Sequence, residues 1–143
     1  MGQEGKTLME LMVAVAIVGI VSALAVPEFL GLRARIQVRS ATEEIASELR
    51  LARQLAITHR DRVRVVFNLE QRALEAQFVN GGTTHHVHRY GDKGIVIEEP
   101  SAGPEILFHP SGRSATAATI QLRSKEGPIQ KVTVGITGRV SIL

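Results

Sequence analysis

The sequence predicts an α+β protein: one long N-terminal α-helix, its first half of membrane-spanning character, packed on a small antiparallel β-sheet domain. Three observations carry this. Leu11 to Val26 holds no charged residue. Ala41, Ile45, Leu49, Ala52 and Ala56 recur at the spacing of one helix face. Beyond Arg60 the apolar period changes to two, the period of a half-buried strand.

A chain of 143 residues with 44% hydrophobic content can hold one core plus an appendage. Aromatic residues make up 3%, so that core must be built from Val, Ile, Leu and Ala. With no cysteine, a disulfide framework and thiolate metal sites are excluded. The net charge is +3, from 17 basic and 14 acidic residues, which is mildly basic; thirteen of the basic residues are Arg, which suits contact with phosphate or carboxylate, although a solvated surface explains most of them.

The apolar run comes first. At about 1.5 Å per residue, roughly 20 residues cross the hydrocarbon of a bilayer, and Leu8 to Leu30 is long enough. A cleaved secretory signal fits poorly, because the residues before Lys6 include no Lys or Arg, although Ala23-Leu24-Ala25 offers a cleavage-like site. Between Leu8 and Pro27 the one charge is Glu10. A carboxylate at the centre of a membrane helix costs roughly 2.5–3.5 kcal/mol on insertion scales, so Glu10 calls for a partner.

After Pro27, which removes a backbone donor and can bend the helix, the amphipathic stripe runs to about Thr58. Its opposite face carries Arg39, Glu43, Arg50 and Arg53. Arg39 and Glu43 attract at four-residue spacing, whereas Glu44 and Glu48 repel weakly. The Arg33 to Arg39 stretch is a basic patch read as a solvated helix face, with anionic headgroups or DNA as the functional alternative. Strands follow around Val63 to Phe67 and Leu74 to Phe78, joined by a turn at Asn68 to Arg72. Asn80-Gly81-Gly82 turns the chain into a strand at His85 to Tyr90. Further strands are placed at Ile95 to Ile97, Ile106 to Phe108, Thr119 to Arg123, Ile129 to Ile136 and Arg139 to Leu143. Turns lie at His109 to Arg113, Lys125 to Pro128 and Thr137-Gly138.

Gly5, the stretch Thr7-Leu8-Met9-Glu10-Leu11-Met12, the run Val13 to Ile20, and Pro27 together resemble the class III signal of type IV pilins and type II secretion pseudopilins. The resemblance implies a pilin-like fold. It implies that a prepilin peptidase cuts between Gly5 and Lys6, and that Lys6 becomes an N-methylated N-terminus. It implies that Glu10 serves subunit assembly by pairing with a neighbour's terminal amine, and that Pro27 kinks the helix. The domains are then a leader at 1–5, a membrane-spanning half at 6–30, an amphipathic half at 31–59 and a periplasmic β-rich domain at 60–143. The implied location is the bacterial inner membrane, crossed once, with later extraction into a pseudopilus or pilus. The implied partners are other pilins or pseudopilins, the peptidase and inner-membrane lipid. Two features depart from the pattern. Lys6 stands where the family usually has Phe or another apolar residue. The distribution of Lys6 against Arg33, Arg35 and Arg39 also runs against the positive-inside rule for this orientation.

Leu51-Ala52-Arg53-Gln54-Leu55-Ala56-Ile57, Phe108-His109-Pro110-Ser111-Gly112-Arg113 and Gly138-Arg139-Val140 resemble the GspH/FimT branch of minor pseudopilins. Some FimT-like members bind DNA through a Gly-Arg-x-Arg motif; here Ser141 replaces the second arginine. DNA contact through Arg139 with Lys131, Arg123 or Arg113 is the alternative reading.

No catalytic residue and no cofactor are expected. There is no phosphate-cradling glycine loop, no nucleophile elbow and no carboxylate pair in a plausible cleft. Ser111 and Ser114 beside His109 read as a turn. His85, His86 and His88 are the only metal-like cluster. On a strand, His86 and His88 share a face while His85 points away, but no Cys or nearby Asp completes a site, so they read as an exposed strand and no metal is expected. Three roles stay open: an assembly subunit, a DNA-capturing pilin, and a membrane protein that is never processed.

Overall fold

The computed structural model describes residues 7–91, 94–124 and 128–143. Gly5 and Lys6 lie outside this set, as do the first three residues of the turn expected at Lys125 to Pro128. The chain divides into two compact units, Met1–Arg33 and Ala34–Leu143.

Helix α1 (Leu8–His59) runs without a break through position 27. The Pro27 ring, and with it the expected kink, falls outside the described side chains. The helix stops where Arg60 takes a left-handed φ of 52°, the conformation that commonly ends helices.

In the second unit the stripe predicted on α1 is the packed face. Ala41, Ile45, Leu49, Ala52 and Ala56 are each at most 1% exposed, and Val38 and Thr42 join them. Thr42 keeps its hydroxyl satisfied by donating to the Val38 carbonyl at 2.7 Å.

Eight strands follow: β1 (Val63–Asn68), β2 (Ala73–Phe78), β3 (Thr84–Arg89), β4 (Ile95–Ile97), β5 (Glu105–Phe108), β6 (Ala118–Ser124), β7 (Gln130–Val134) and β8 (Val140–Ile142). They form two antiparallel four-stranded sheets, ordered β3-β2-β1-β5 and β4-β6-β7-β8. The chain therefore leaves the first sheet for β4, returns to it for β5 beside β1, and leaves again. Period-two alternation explains the shared core: Val63, Val65 and Phe67 face inward from β1, Ile120 and Leu122 from β6, Val132 and Val134 from β7. One apolar cluster joins these to Ile45, Leu49, Ile106 and Phe108. The long helix packs on small antiparallel sheet, as the patterning predicts; the division into two sheets is an addition to it.

Candidate functional site

The start of α1 is set by Thr7. Its hydroxyl accepts from the Glu10 N–H at 3.3 Å and its carbonyl accepts from the Leu11 N–H at 3.1 Å. Thr7 is thus the N-cap and Glu10 the third helical residue, the spacing of a capping box. The cap places the Glu10 carboxylate in the first turn, where the positive end of the helix dipole favours it.

From Leu8 to Val26 the large apolar side chains are between half and three-quarters exposed. The helix is long and apolar enough to cross a membrane, with a mean hydropathy of 2.4 in its most apolar window. A continuous apolar face of this length requires a cover, either lipid or other helices.

The three stretches that carry the GspH/FimT resemblance meet at one point of the second unit. Arg53 donates from Nε to the Gly112 carbonyl at 2.8 Å. Gly138 lies against the same carbonyl; a Cβ there would overlap the Gly112 oxygen, and its φ of +77° already favours glycine. Gly112 also has φ +77°, and a Cβ on it would press on Ile57 and Arg53. Arg50 reaches the Val140 carbonyl at 3.4 Å. Arg50 and Arg53 are therefore not merely on a solvated helix face, as helical spacing alone implies. They tie the last turns of α1 to the Gly112 turn and to the start of β8.

Arg139 and Lys131 are both exposed and stand on the outer face of the second sheet. Register places Lys131 beside the chain end and Arg139 opposite Gly135, with Thr133 and Ser141 paired between them. Arg139 lines a shallow groove of about 490 Å³ together with Thr119, Thr133, Thr137 and Ser141. Arg113 is exposed on the Gly112 turn. Among the described residues no carboxylate pairs with Arg113, Lys131 or Arg139, whereas Arg123 pairs with Glu98 at 3.6 Å.

The histidines differ most from the expectation. His86 pairs in register with Ala76 and His88 with Leu74, so both lie on the helix-facing side of edge strand β3. There they meet Glu44 and Glu48, the two acids whose spacing had signified only repulsion. His86 Nε2 is 3.6 Å from Glu48, His88 Nδ1 is 3.6 Å from Glu48, and His88 Nε2 is 3.6 Å from Glu44. β3 is an exposed strand, as expected, and the carboxylates near its histidines, which the strand sequence does not supply, come from the helix. His85 points away, its ring 5.5 Å from Phe78 and 6.2 Å from His59.

Comparison with known proteins agrees with this architecture. The family model "Type II transport protein GspH" matches residues 41–138, and the model "Prokaryotic N-terminal methylation motif" matches residues 1–26. The chain is 32% identical over 134 residues to the type IV major fimbrial protein FimA of Dichelobacter nodosus, covering 87% of this chain and 85% of that protein. Against fimbrial proteins of Pseudomonas aeruginosa the match is local, 47% over 55 residues, and spans 35% of their length. The fold is similar to that of the type IV minor pilin FimU of Pseudomonas aeruginosa, with TM-score 0.64 at 19% identity over 74% of this chain and 87% of that one. It is similar also to the minor pseudopilin EpsH from the type 2 secretion system of Vibrio cholerae, with TM-score 0.61 at 17% identity over 75% and 96%. A long helix, apolar and then amphipathic, carrying a small antiparallel β domain defines a pilin-like subunit. The chain belongs to the GspH family.

Proposed function

We propose that the protein is a minor pseudopilin that joins the pseudopilus or pilus tip of a type II secretion system or type IV pilus and supports protein secretion or pilus biogenesis. The observation that carries this is Glu10, the one carboxylate of the exposed apolar stretch Leu8 to Val26, placed in the first turn of the helix that Thr7 caps. Such a charge is costly among apolar helices unless neutralised, and the terminal amine of an adjacent subunit neutralises it at one axial register. In this reading a prepilin peptidase cuts after Gly5, Lys6 is N-methylated, the apolar half waits in the inner membrane and the β-rich unit is periplasmic. Other pilins or pseudopilins then replace lipid around the helix. The protein's work is packing and register rather than catalysis.

Co-expression with a prepilin peptidase tests it. Mass spectrometry of the mature protein should find residues 1–5 removed and one methyl group on the Lys6 amine. An intact Met1 in the presence of active peptidase would favour an unprocessed membrane protein instead.

A second reading, DNA capture, is favoured by the exposed Arg139 and Lys131 on the outer face of the second sheet, neither of which pairs with a carboxylate among the described residues. Phosphate contacts of this kind are salt-dependent and sequence-independent. Gel shifts with duplex DNA should then give micromolar or tighter binding that disappears on Arg139→Ala; no binding at low salt rejects it.

A further inference from the structure

We propose that Glu48, His86 and His88 form a divalent transition-metal site, with zinc as the best-fitting ion, that staples edge strand β3 to helix α1. The Glu48 carboxylate and one ring nitrogen of each histidine lie within 4.8 Å of one another. The two Glu48–histidine separations are each 3.6 Å. That is too long for a hydrogen bond, whose N···O distance is about 2.7–3.2 Å. It is close to the edge of a tetrahedral zinc cage, about 3.3–3.4 Å when metal–nitrogen and metal–oxygen bonds are about 2.0–2.2 Å. The 3.6 Å contacts run to the two different Glu48 oxygens, and with all three ligand atoms within 4.8 Å of one another no pair has to close by more than about 1.4 Å to reach a tetrahedral edge. Two imidazoles and one carboxylate are a donor set for zinc and its neighbours rather than for calcium or magnesium, which take oxygen ligands.

The surroundings support a cation in the same place. Glu44 and Glu48 sit one turn apart on α1, two like charges to which a cation at this point would be favourable. His88 Nε2 is buried without a hydrogen-bond partner, 3.6 Å from Glu44. When His88 Nδ1 binds the metal, its Nε2–H turns to Glu44, the outer carboxylate that metal-bound histidines ordinarily have. Glu44 is thus a positioning residue. The fourth metal position is left for water. The role assigned is structural, because β3 is poorly anchored by packing: five of its six residues are exposed, and it has one neighbour in the sheet.

The test uses the full chain in detergent, stripped with a chelator and titrated with zinc against a chromophoric competitor. The expected result is one zinc per chain, at least tenfold weaker binding for His86→Asn, His88→Asn and Glu48→Gln, and about tenfold weaker binding for Glu44→Gln. His85→Asn, next in sequence but outside the cluster, should bind as the wild type does. Zinc should slow amide exchange in β3 of the wild type and of His85→Asn but not of His88→Asn, a readout that each variant reports on its own folded state. Cobalt(II) should give the intense visible bands of a tetrahedral site. Equal losses for His85→Asn and His88→Asn, or a stoichiometry that rises with the number of histidines, would reduce the cluster to nonspecific histidine binding and overturn the proposal. So would the absence of zinc binding tighter than millimolar at pH 7.5.

Discussion

Arg53 and Gly112, 59 positions apart, are joined by a 2.8 Å hydrogen bond from the guanidinium to the backbone carbonyl. Gly138 packs on the same carbonyl, close to the Arg53 Nε. The short stretches shared with the GspH/FimT branch therefore describe one physical contact, made where the end of the helix meets two loops.

Gly138→Ala should test that contact. The left-handed conformation alone costs an L-residue about 1–2 kcal/mol, and the new methyl group would overlap the Gly112 oxygen. A loss of at least about 2 kcal/mol is expected in denaturant unfolding followed by circular dichroism. Arg53→Ala should lose about 1–2 kcal/mol, since a half-buried charged donor is removed from a backbone acceptor. A Gly138→Ala protein within about 0.5 kcal/mol of wild type would show that the loops do not need this close approach.

Leu49 is fully buried in the helix stripe. Leu49→Ala should cost about 2–5 kcal/mol, the range for a core cavity. Val15→Ala, in the exposed apolar half, should leave unfolding of the β-rich unit within about 0.5 kcal/mol of wild type. The comparison separates core packing from the helix surface that awaits a cover.

Tyr90 should govern part of the alkaline stability. Burial pushes its phenol above the ordinary value of 10.0, with Arg72 pulling the other way. The native state then keeps the proton over a range where the unfolded chain has lost it. Stability contributed by the neutral phenol is complete below pH 10 and falls as pH rises through the native value. Tyr90→Phe should flatten that decline in unfolding measured from pH 9 to 11. An identical decline in both proteins would assign it to other groups.

Much of this fold is legible in the chain because facing is a local property. Val63, Val65 and Phe67 alternate with Arg64 and Val66, and the structure buries the first set. Ala41 to Ala56 repeat at helical spacing, and all five residues are buried. Pairing partners are not local. Nothing near Ile95 or Ile106 says that β4 joins β6 while β5 returns to β1, so the division into two sheets comes only from tertiary packing. The same limit hides the cluster at His86 and His88. Periodicity puts them on one strand face, but Glu44 and Glu48 are some 40 residues earlier and reach them only because α1 crosses that edge. Arg53 is hidden likewise: helical spacing turns it away from the stripe, and its acceptor is a loop carbonyl that no side-chain pattern encodes.

Glu10 offers the most direct test, because the proposed assembly depends on its charge and on little else in the first turn. Glu10→Gln keeps the shape and the Thr7 cap while removing the charge that a neighbouring amine would meet. Cells expressing either form beside the other subunits would be sheared or cross-linked, and the fraction of the protein recovered in filaments measured by quantitative immunoblot. The account predicts at least a tenfold loss for Glu10→Gln with normal processing and normal membrane levels. Wild-type incorporation of Glu10→Gln would contradict it.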